Sequence, residues 1–174
     1  MKNTLETPRL ILRPFVIEDA STMFSNWAND IEVTKYMTWH PHKDVEETKW
    51  LLNLWIKEYE DPKTYRYGIV IKDTNELIGS IDVVGYIDGN PEIGYCLSRK
   101  HWNKGYMTEA VKTLIQYLLK EGFPIIHVTA AVDNIGSNKV IEKCGFTFVK
   151  EERLEHHSIF KPEPITVNKY ILKK

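Results

Sequence analysis

The apolar positions of this chain change period several times, and each change marks an element. Between residues 106 and 122 they recur at three and four: Met107, Ala110, Val111, Leu114, Ile115 and Leu118. That spacing gathers them on one stripe of a helix. Gly122 and Pro124 follow, the residue types that stop a helix. A second stripe is Thr48, Leu51, Leu52, Trp55 and Tyr59. Asp44 precedes it as N-cap, with Glu47 as capping-box partner, and Asp61-Pro62 ends it. A helix over about 18–28 and a short one with Val140, Ile141 and Cys144 inward and Gly145 at its end complete the helical set.

The remaining apolar runs are short and bounded by turn residues, so they read as strands. The first is 9–13, closed by Pro14. Three consecutive strands cover 65–71, 77–86 and 92–98, joined by Asp73-Thr74-Asn75-Glu76 and Asp88-Gly89-Asn90-Pro91. Gly94 inside the third suggests a bulge or a close approach by another backbone. The run 125–132 is apolar throughout, as a strand buried on both faces requires. Strands near 146–154 and 165–172 finish the chain.

The order is strand, helices, three-strand meander, helix, strand, helix, two strands. It predicts an α/β domain of the three-layer, α+β type: a mixed, mostly antiparallel sheet with helices on both faces. The central strand–helix–strand unit, 92–132, should hold its two strands parallel with a right-handed crossover. At 174 residues the chain is expected to form one domain spanning 1–174.

Charge narrows the function classes. Lys plus Arg number 23 against 24 Asp plus Glu, a net of −1. A general nucleic-acid binder shows a basic excess, so no nucleic-acid partner is expected, and no anionic membrane surface either. The first eight residues have no apolar leader, and no run approaches the about 18 apolar residues of a membrane span. A cytoplasmic protein is the expectation. Cys96 and Cys144 are far apart, in no C-x-x-C pair, and read as small apolar core residues. None of the histidines has metal-ligand spacing, so no metal is expected.

Two polar loops carry the candidate chemistry. His101-Trp102-Asn103-Lys104-Gly105-Tyr106 enters the strongest helix, where free N–H groups, the helix dipole, a glycine and Lys104 would suit a phosphate. An ordinary strand-to-helix turn has the same composition. Asp133-Asn134-Ile135-Gly136-Ser137-Asn138 enters the last helix, where Asn134 or Ser137 also serves as a plain N-cap. Parallel strands bring both loops to one carboxyl-end edge, where open sheets bind ligands.

Three stretches resemble the GNAT N-acetyltransferase superfamily and its RimJ/RimL-like group. They are Glu6-Thr7-Pro8-Arg9-Leu10-Ile11-Leu12-Arg13-Pro14; Ile93-Gly94-Tyr95-Cys96-Leu97 with Trp102-Asn103-Lys104-Gly105-Tyr106-Met107-Thr108-Glu109-Ala110; and 134–146. The resemblance implies an acyltransferase that moves the acetyl group of acetyl-CoA directly to a primary amine, either a protein N-terminal α-amine of ribosomal-protein type or a small amine. It implies a pyrophosphate loop on Trp102, Asn103, Lys104, Gly105, Tyr106 and Met107, leading into Thr108. Trp102 and Met107 depart from the family's outer loop positions. Cys96, Leu97 and Ser98 would line the pantetheine arm as an added strand would, with Asn134 beside it and Lys143 near the cofactor.

Glu92 is the candidate base, acting through water; a solvated residue after a turn is the alternative. Backbone N–H groups near Leu97 would polarise the thioester carbonyl. Many superfamily members protonate the leaving thiolate with a Tyr of the last helix; that position is Ile141 here. The RimJ/RimL-like group uses a serine of the closing motif, which falls on Ser137. The Ile141 and Met107 departures keep open a catalytically inactive CoA-binding protein, and acyl transfer to a hydroxyl is a third reading. Residues 30–49, with Trp39 and His40, are where acceptor specificity is expected. The assembly is expected to be a monomer or homodimer.

Overall fold

A computed structural model describes residues 4–174; Met1–Asn3, part of the stretch read as lacking a leader, lie outside the described residues. The strands are β1 (Leu5–Glu6), β2 (Leu10–Arg13), β3 (Arg66–Ile71), β4 (Leu77–Ile87), β5 (Asn90–Leu97), β6 (Ile125–Ala131), β7 (Thr147–Leu154) and β8 (Ile165–Lys173). The helices are α1 (Ala20–Met23), α2 (Ile31–Thr34), α3 (Val45–Glu58), α4 (Tyr106–Lys120) and α5 (Ile135–Lys143), with short 3₁₀ turns at Ile17–Asp19 and Arg99–His101.

The described strands form one sheet in the order β1-β2-β3-β4-β5-β6-β8-β7. Every neighbouring pair is antiparallel except β5 and β6. The mixed, mostly antiparallel sheet expected from the element order is therefore present. So is the parallel unit.

Two apolar layers cover the two faces. One packs α4 and α5 on the sheet through Leu114, Leu118, Ile93, Ile126, Val128 and Ile141, all buried. All six stripe residues of α4 are buried. The other layer packs α1 to α3 through Phe15, Met23, Trp27, Leu52 and Leu77. Alternation along β5 puts Ile93 and Tyr95 on the first face and Cys96 on the second.

Three local expectations need correction. The helix expected over 18–28 is broken: a 3₁₀ turn leads into α1, which widens into a π-turn at Phe24–Ala28. The Asp44 cap forms, accepting from Glu47 N at 2.9 Å, but the Glu47 carboxylate reaches one residue further back, to Lys43 N at 2.7 Å. The irregularity expected in β5 at Gly94 sits on its partner instead: β4 shifts register between Val83 and Gly85. Gly94 is the space this needs, because a Cβ there would lie 2.7 Å from Val84 Cγ1.

β5 and β6 are paired only at Glu92–His127 and Ile93–Val128. Beyond Ile93 they diverge, while β5 stays paired with β4 as far as Leu97. The edge of β5 facing β6 thus loses its ladder partner over the last residues of the strand, and a cleft opens there.

Three partly or fully buried histidines contribute to the pH response of stability. Burial pushes His42 below its usual pKa. Burial does the same to His101, with Lys104 and Lys100 adding to it against Glu76, and to His157, with Lys161 adding. Each binds a proton more weakly folded than unfolded, so the unfolded chain takes up more protons once pH falls below the ordinary value of 6.5. Stability is then full above that value and is lost as pH falls through it. The melting temperature should drop between about pH 7.5 and about pH 5.5, and a flat or rising profile there would contradict this.

Candidate active site

The cleft between β5, α4, α5 and α2 is a cavity of about 560 Å³. Two of its walls are the loops that the sequence brings to one edge. Gly105 is the N-cap of α4 with φ +79°, a left-handed conformation that favours glycine. No side chain caps this helix start, so its first N–H groups are free to face an anion. Trp102, Asn103, Gly105, Tyr106, Met107 and Thr108 all line the cavity.

The outside of this loop is held by the N-terminal strand. Arg9 donates from Nη1 to Lys104 O at 3.0 Å and from Nε to Glu109 Oε2 at 2.8 Å, and its guanidinium lies 4.4 Å from the Tyr106 ring centre. Glu109 also accepts from Arg9 N at 2.9 Å and from the Thr7 hydroxyl. Burial opposes its charge, but the hydrogen bonds from Thr7 and Arg9 outweigh that and hold its carboxyl below the usual range. A carboxylate in the first turn of an anion-binding helix would repel the ligand; Arg9 neutralises it. The N-terminal motif thus braces the loop.

The opposite wall is the start of α5. Asn134 caps it, Oδ1 accepting from Ser137 N at 3.2 Å. Asn138 bolts it to the sheet: Nδ2 donates to Ala131 O at 2.9 Å, and Oδ1 accepts from Asn168 Nδ2 at 3.0 Å and Tyr170 Oη at 2.6 Å. Tyr95 crosses from β5, its hydroxyl 2.9 Å from Ser137 Oγ and 3.3 Å from Ser137 O. Ile141, one turn on, is fully buried in the core. Asn134, Ser137 and Lys143 line the cavity, as do Cys96 and Leu97.

Three sequence candidates stand apart from the lining. Ser98 is buried, and its N–H donates to Ile78 O at 2.7 Å. Lys104 has an exposed side chain, and its carbonyl is taken by Arg9. Glu92 lies at the parallel junction, where Oε1 accepts from Thr129 Oγ1 at 2.7 Å. Trp102 lines the cavity, but its indole N–H is engaged by Leu97 O at 2.8 Å.

On the acceptor side, Val33, Tyr36 and Met37 of α2 and its following turn line the cavity, and Tyr36 Oη donates across its mouth to Asp133 O at 3.1 Å. Trp39 is absent from the lining and lies against His42, the ring centres 5.3 Å apart and the planes tilted by 48°. His40 Nε2 meets Phe160 O at 2.9 Å, so the β7–β8 loop straps over this region. Tyr95, Tyr36 and Arg9 were not singled out from the sequence. Arg9 and Tyr95 had a signal only in lying within stretches that carry the family resemblance; Tyr36 had none.

A mixed sheet split at one parallel pair thus brings a helix N-terminus and a free strand edge to one cleft. The family model described as "Acetyltransferase (GNAT) domain" matches residues 9–147. An uncharacterized N-acetyltransferase, p20, of Bacillus licheniformis is 34% identical over 98% of this chain and 96% of its own. Two solved structures share the fold. One is an acetyltransferase from Salmonella typhimurium that modifies the N-terminal serine of ribosomal protein L7/L12: TM-score 0.83, 19% identity, 99% of both chains. The other is the microcin C7 self-immunity acetyltransferase MccE in complex with acetyl-CoA and AMP: TM-score 0.83, 21% identity, 97% of this chain and 94% of that one. The chain belongs to the GNAT family of acetyltransferases and is an acyltransferase. Among the described residues, no helix is long and apolar enough to cross a membrane.

Proposed function

We propose that this enzyme takes its acetyl group from acetyl-CoA and passes it directly to a primary amine, with a protein N-terminal α-amine as the acceptor class. The observation that carries the donor is the convergence on one cavity of the uncapped N-terminus of α4 and the unpaired edge of β5. The first suits a diphosphate, and the second suits an amide-bearing arm that adds as a strand. Acetyl-CoA supplies the activated thioester; the rest is done by this chain's side chains and backbone.

Glu92 takes a proton from the amine, and Ser137 stabilises the leaving sulfur with a hydrogen bond. Glu92 sits at the last paired stretch of β5 and β6 and Ser137 lines the cavity beyond it, which supports an amine approaching from the Glu92 side and a sulfur departing on the Ser137 side. Glu92, held by Thr129, takes the ammonium proton through water, because only a neutral amine attacks. An α-amine, with a pKa of about 8, gives up that proton more readily than an alkylammonium. N–H groups near Leu97 polarise the carbonyl. The α-amine acceptor draws support from the N-terminal-serine specificity printed for the Salmonella structure. Small amines are the alternative.

The buried Ile141, which offers no hydroxyl, favours a second reading as a CoA-binding protein without turnover. One experiment separates the two. Acetyl-CoA is titrated calorimetrically, and a peptide with a free N-terminus and a small diamine are then incubated with enzyme and acetyl-CoA. Saturable binding and a mass gain of one acetyl group, abolished or strongly slowed in Glu92→Gln, are expected. Binding with no transfer to either amine would support the second reading. No binding would overturn both.

A further inference from the structure

The family's usual acid is missing from α5, and the hydroxyl that faces Ser137 comes instead from the strand. We infer that Tyr95 is a positioning residue for catalysis: it holds Ser137 Oγ so that the serine's own proton points at the leaving sulfur. This rests on the donor assigned above.

Tyr95 and Ser137 both line the cavity, and their hydroxyls are 2.9 Å apart. Two arrangements of the protons satisfy that distance. In one, Tyr95 donates to the Ser137 carbonyl at 3.3 Å while Ser137 Oγ donates to Tyr95, and the serine proton is spent. In the other, Tyr95 donates to Ser137 Oγ and the serine proton is free. A developing thiolate is the strongest acceptor present, so it selects the second arrangement. Accepting from Tyr95 also strengthens Ser137 as a donor, since linked hydrogen bonds polarise one another.

The geometry of the pair is fixed from three sides. Asn134 holds the Ser137 N–H, the Tyr95 ring packs against the buried core, and Asn138 ties the same helical turn to β6 and β8. Burial raises the Tyr95 pKa, so its hydroxyl keeps its proton and remains a donor through the neutral range. A serine free to rotate would spend part of its time facing water.

The step balances without any further reactant. The amine nitrogen bonds to the acetyl carbon and the carbon–sulfur bond breaks. The ammonium gives up one proton to Glu92 through water before it attacks, and the nitrogen releases a second to water as the carbon–sulfur bond breaks. The sulfur carries away the electron pair, stabilised by the Ser137 O–H, and is protonated on release by solvent. Tyr95 itself neither gains nor loses a proton overall.

The test compares wild type with Tyr95→Phe, Ser137→Ala and the double variant, reading kcat, KM for acetyl-CoA, its calorimetric Kd and the melting temperature. Tyr95→Phe removes only the hydroxyl, so Kd and KM should stay within about twofold while kcat falls about tenfold, or about 1.4 kcal/mol. The double variant should be no slower than the slower single one, because both act on one hydrogen bond to sulfur. Ser137→Thr keeps the hydroxyl and should give a clearly higher kcat than Ser137→Ala, which reads the serine's share of the pair even where Tyr95→Phe does not fold. An unchanged kcat in Tyr95→Phe, losses that multiply in the double variant, or a Ser137→Thr no better than Ser137→Ala would overturn the inference. Inactive wild-type enzyme would instead overturn the donor and acceptor reading on which it rests.

Discussion

Gly105→Val should weaken acetyl-CoA binding by more than about a hundredfold and leave most of the fold in place. Gly105 holds φ +79°, which a β-branched residue resists. A Cβ there would also sit 3.2 Å from Arg9 Nη2, on the guanidinium whose Nη1 donates to Lys104 O from outside the loop. The valine variant must therefore abandon the left-handed turn, displace Arg9, or both. Either change re-aims the first N–H groups of α4. Hydrogen bonds to charged groups are worth about 1.5 to 3 kcal/mol each, so losing two costs two or more powers of ten in affinity. Stability should suffer less, since the strain is about 1 to 2 kcal/mol at one exposed turn. Gly105→Ala is the graded control, with an intermediate loss. Calorimetry with acetyl-CoA decides it; full affinity in the valine variant would place the diphosphate elsewhere.

The largest expected loss of stability comes from Arg66→Met, at about 3 to 5 kcal/mol near neutral pH. Arg66 starts β3 and binds three neighbours at once. Its Nε donates to Asp82 Oδ2 at 3.1 Å, its Nη1 to Glu58, and its guanidinium lies 4.6 Å from the Trp55 ring centre. Burial holds the Asp82 carboxyl above its usual range, and Arg66 opposes that only in part. Methionine fills the space but leaves Asp82 charged and unpaired by a cation. For a chain of this size, the melting temperature should fall by about 10 °C.

The pH dependence follows with a definite sign. A carboxyl whose folded pKa is raised binds more protons folded than unfolded, so its contribution to stability declines as pH rises through that window. Without Arg66 the Asp82 pKa rises further and the window widens upward. The defect of Arg66→Met should shrink between about pH 7 and about pH 5, and Asp82→Asn in the same chain should recover part of it at pH 7. An equal defect at both values would mean that lost packing, and not the stranded charge, is responsible.

What the sequence revealed of this molecule was local. The α4 stripe is visible because six apolar residues share one turn geometry, and all six are buried. The loop around Gly105 is visible because glycine before a helix has a physical reason. Asn134 reads as a cap and is one. The parts that escaped are contacts between distant segments. Tyr95 in an alternating strand looks like any core aromatic, and only the fold brings it to Ser137. Arg9 reaches Glu109 and Lys104 across about a hundred residues, which no spacing rule registers. Gly94 announced an irregularity correctly but not whose it was: the crowding side chain, Val84, belongs to the neighbouring strand. Glu92 was placed on the right strand, yet its partner Thr129 lies on another.

Cys96 and Cys144 are the only cysteines in the chain, and burial raises both thiols to about 11. At pH 7.5 each is ionised to roughly three parts in ten thousand, and the ionised form is the reactive one. Every turnover of an acetyl-CoA-dependent transferase sets free one exposed thiol. A chromogenic disulfide reagent added to the reaction should therefore report product continuously over a flat protein blank, at enzyme concentrations where proteins with reactive cysteines would swamp the signal.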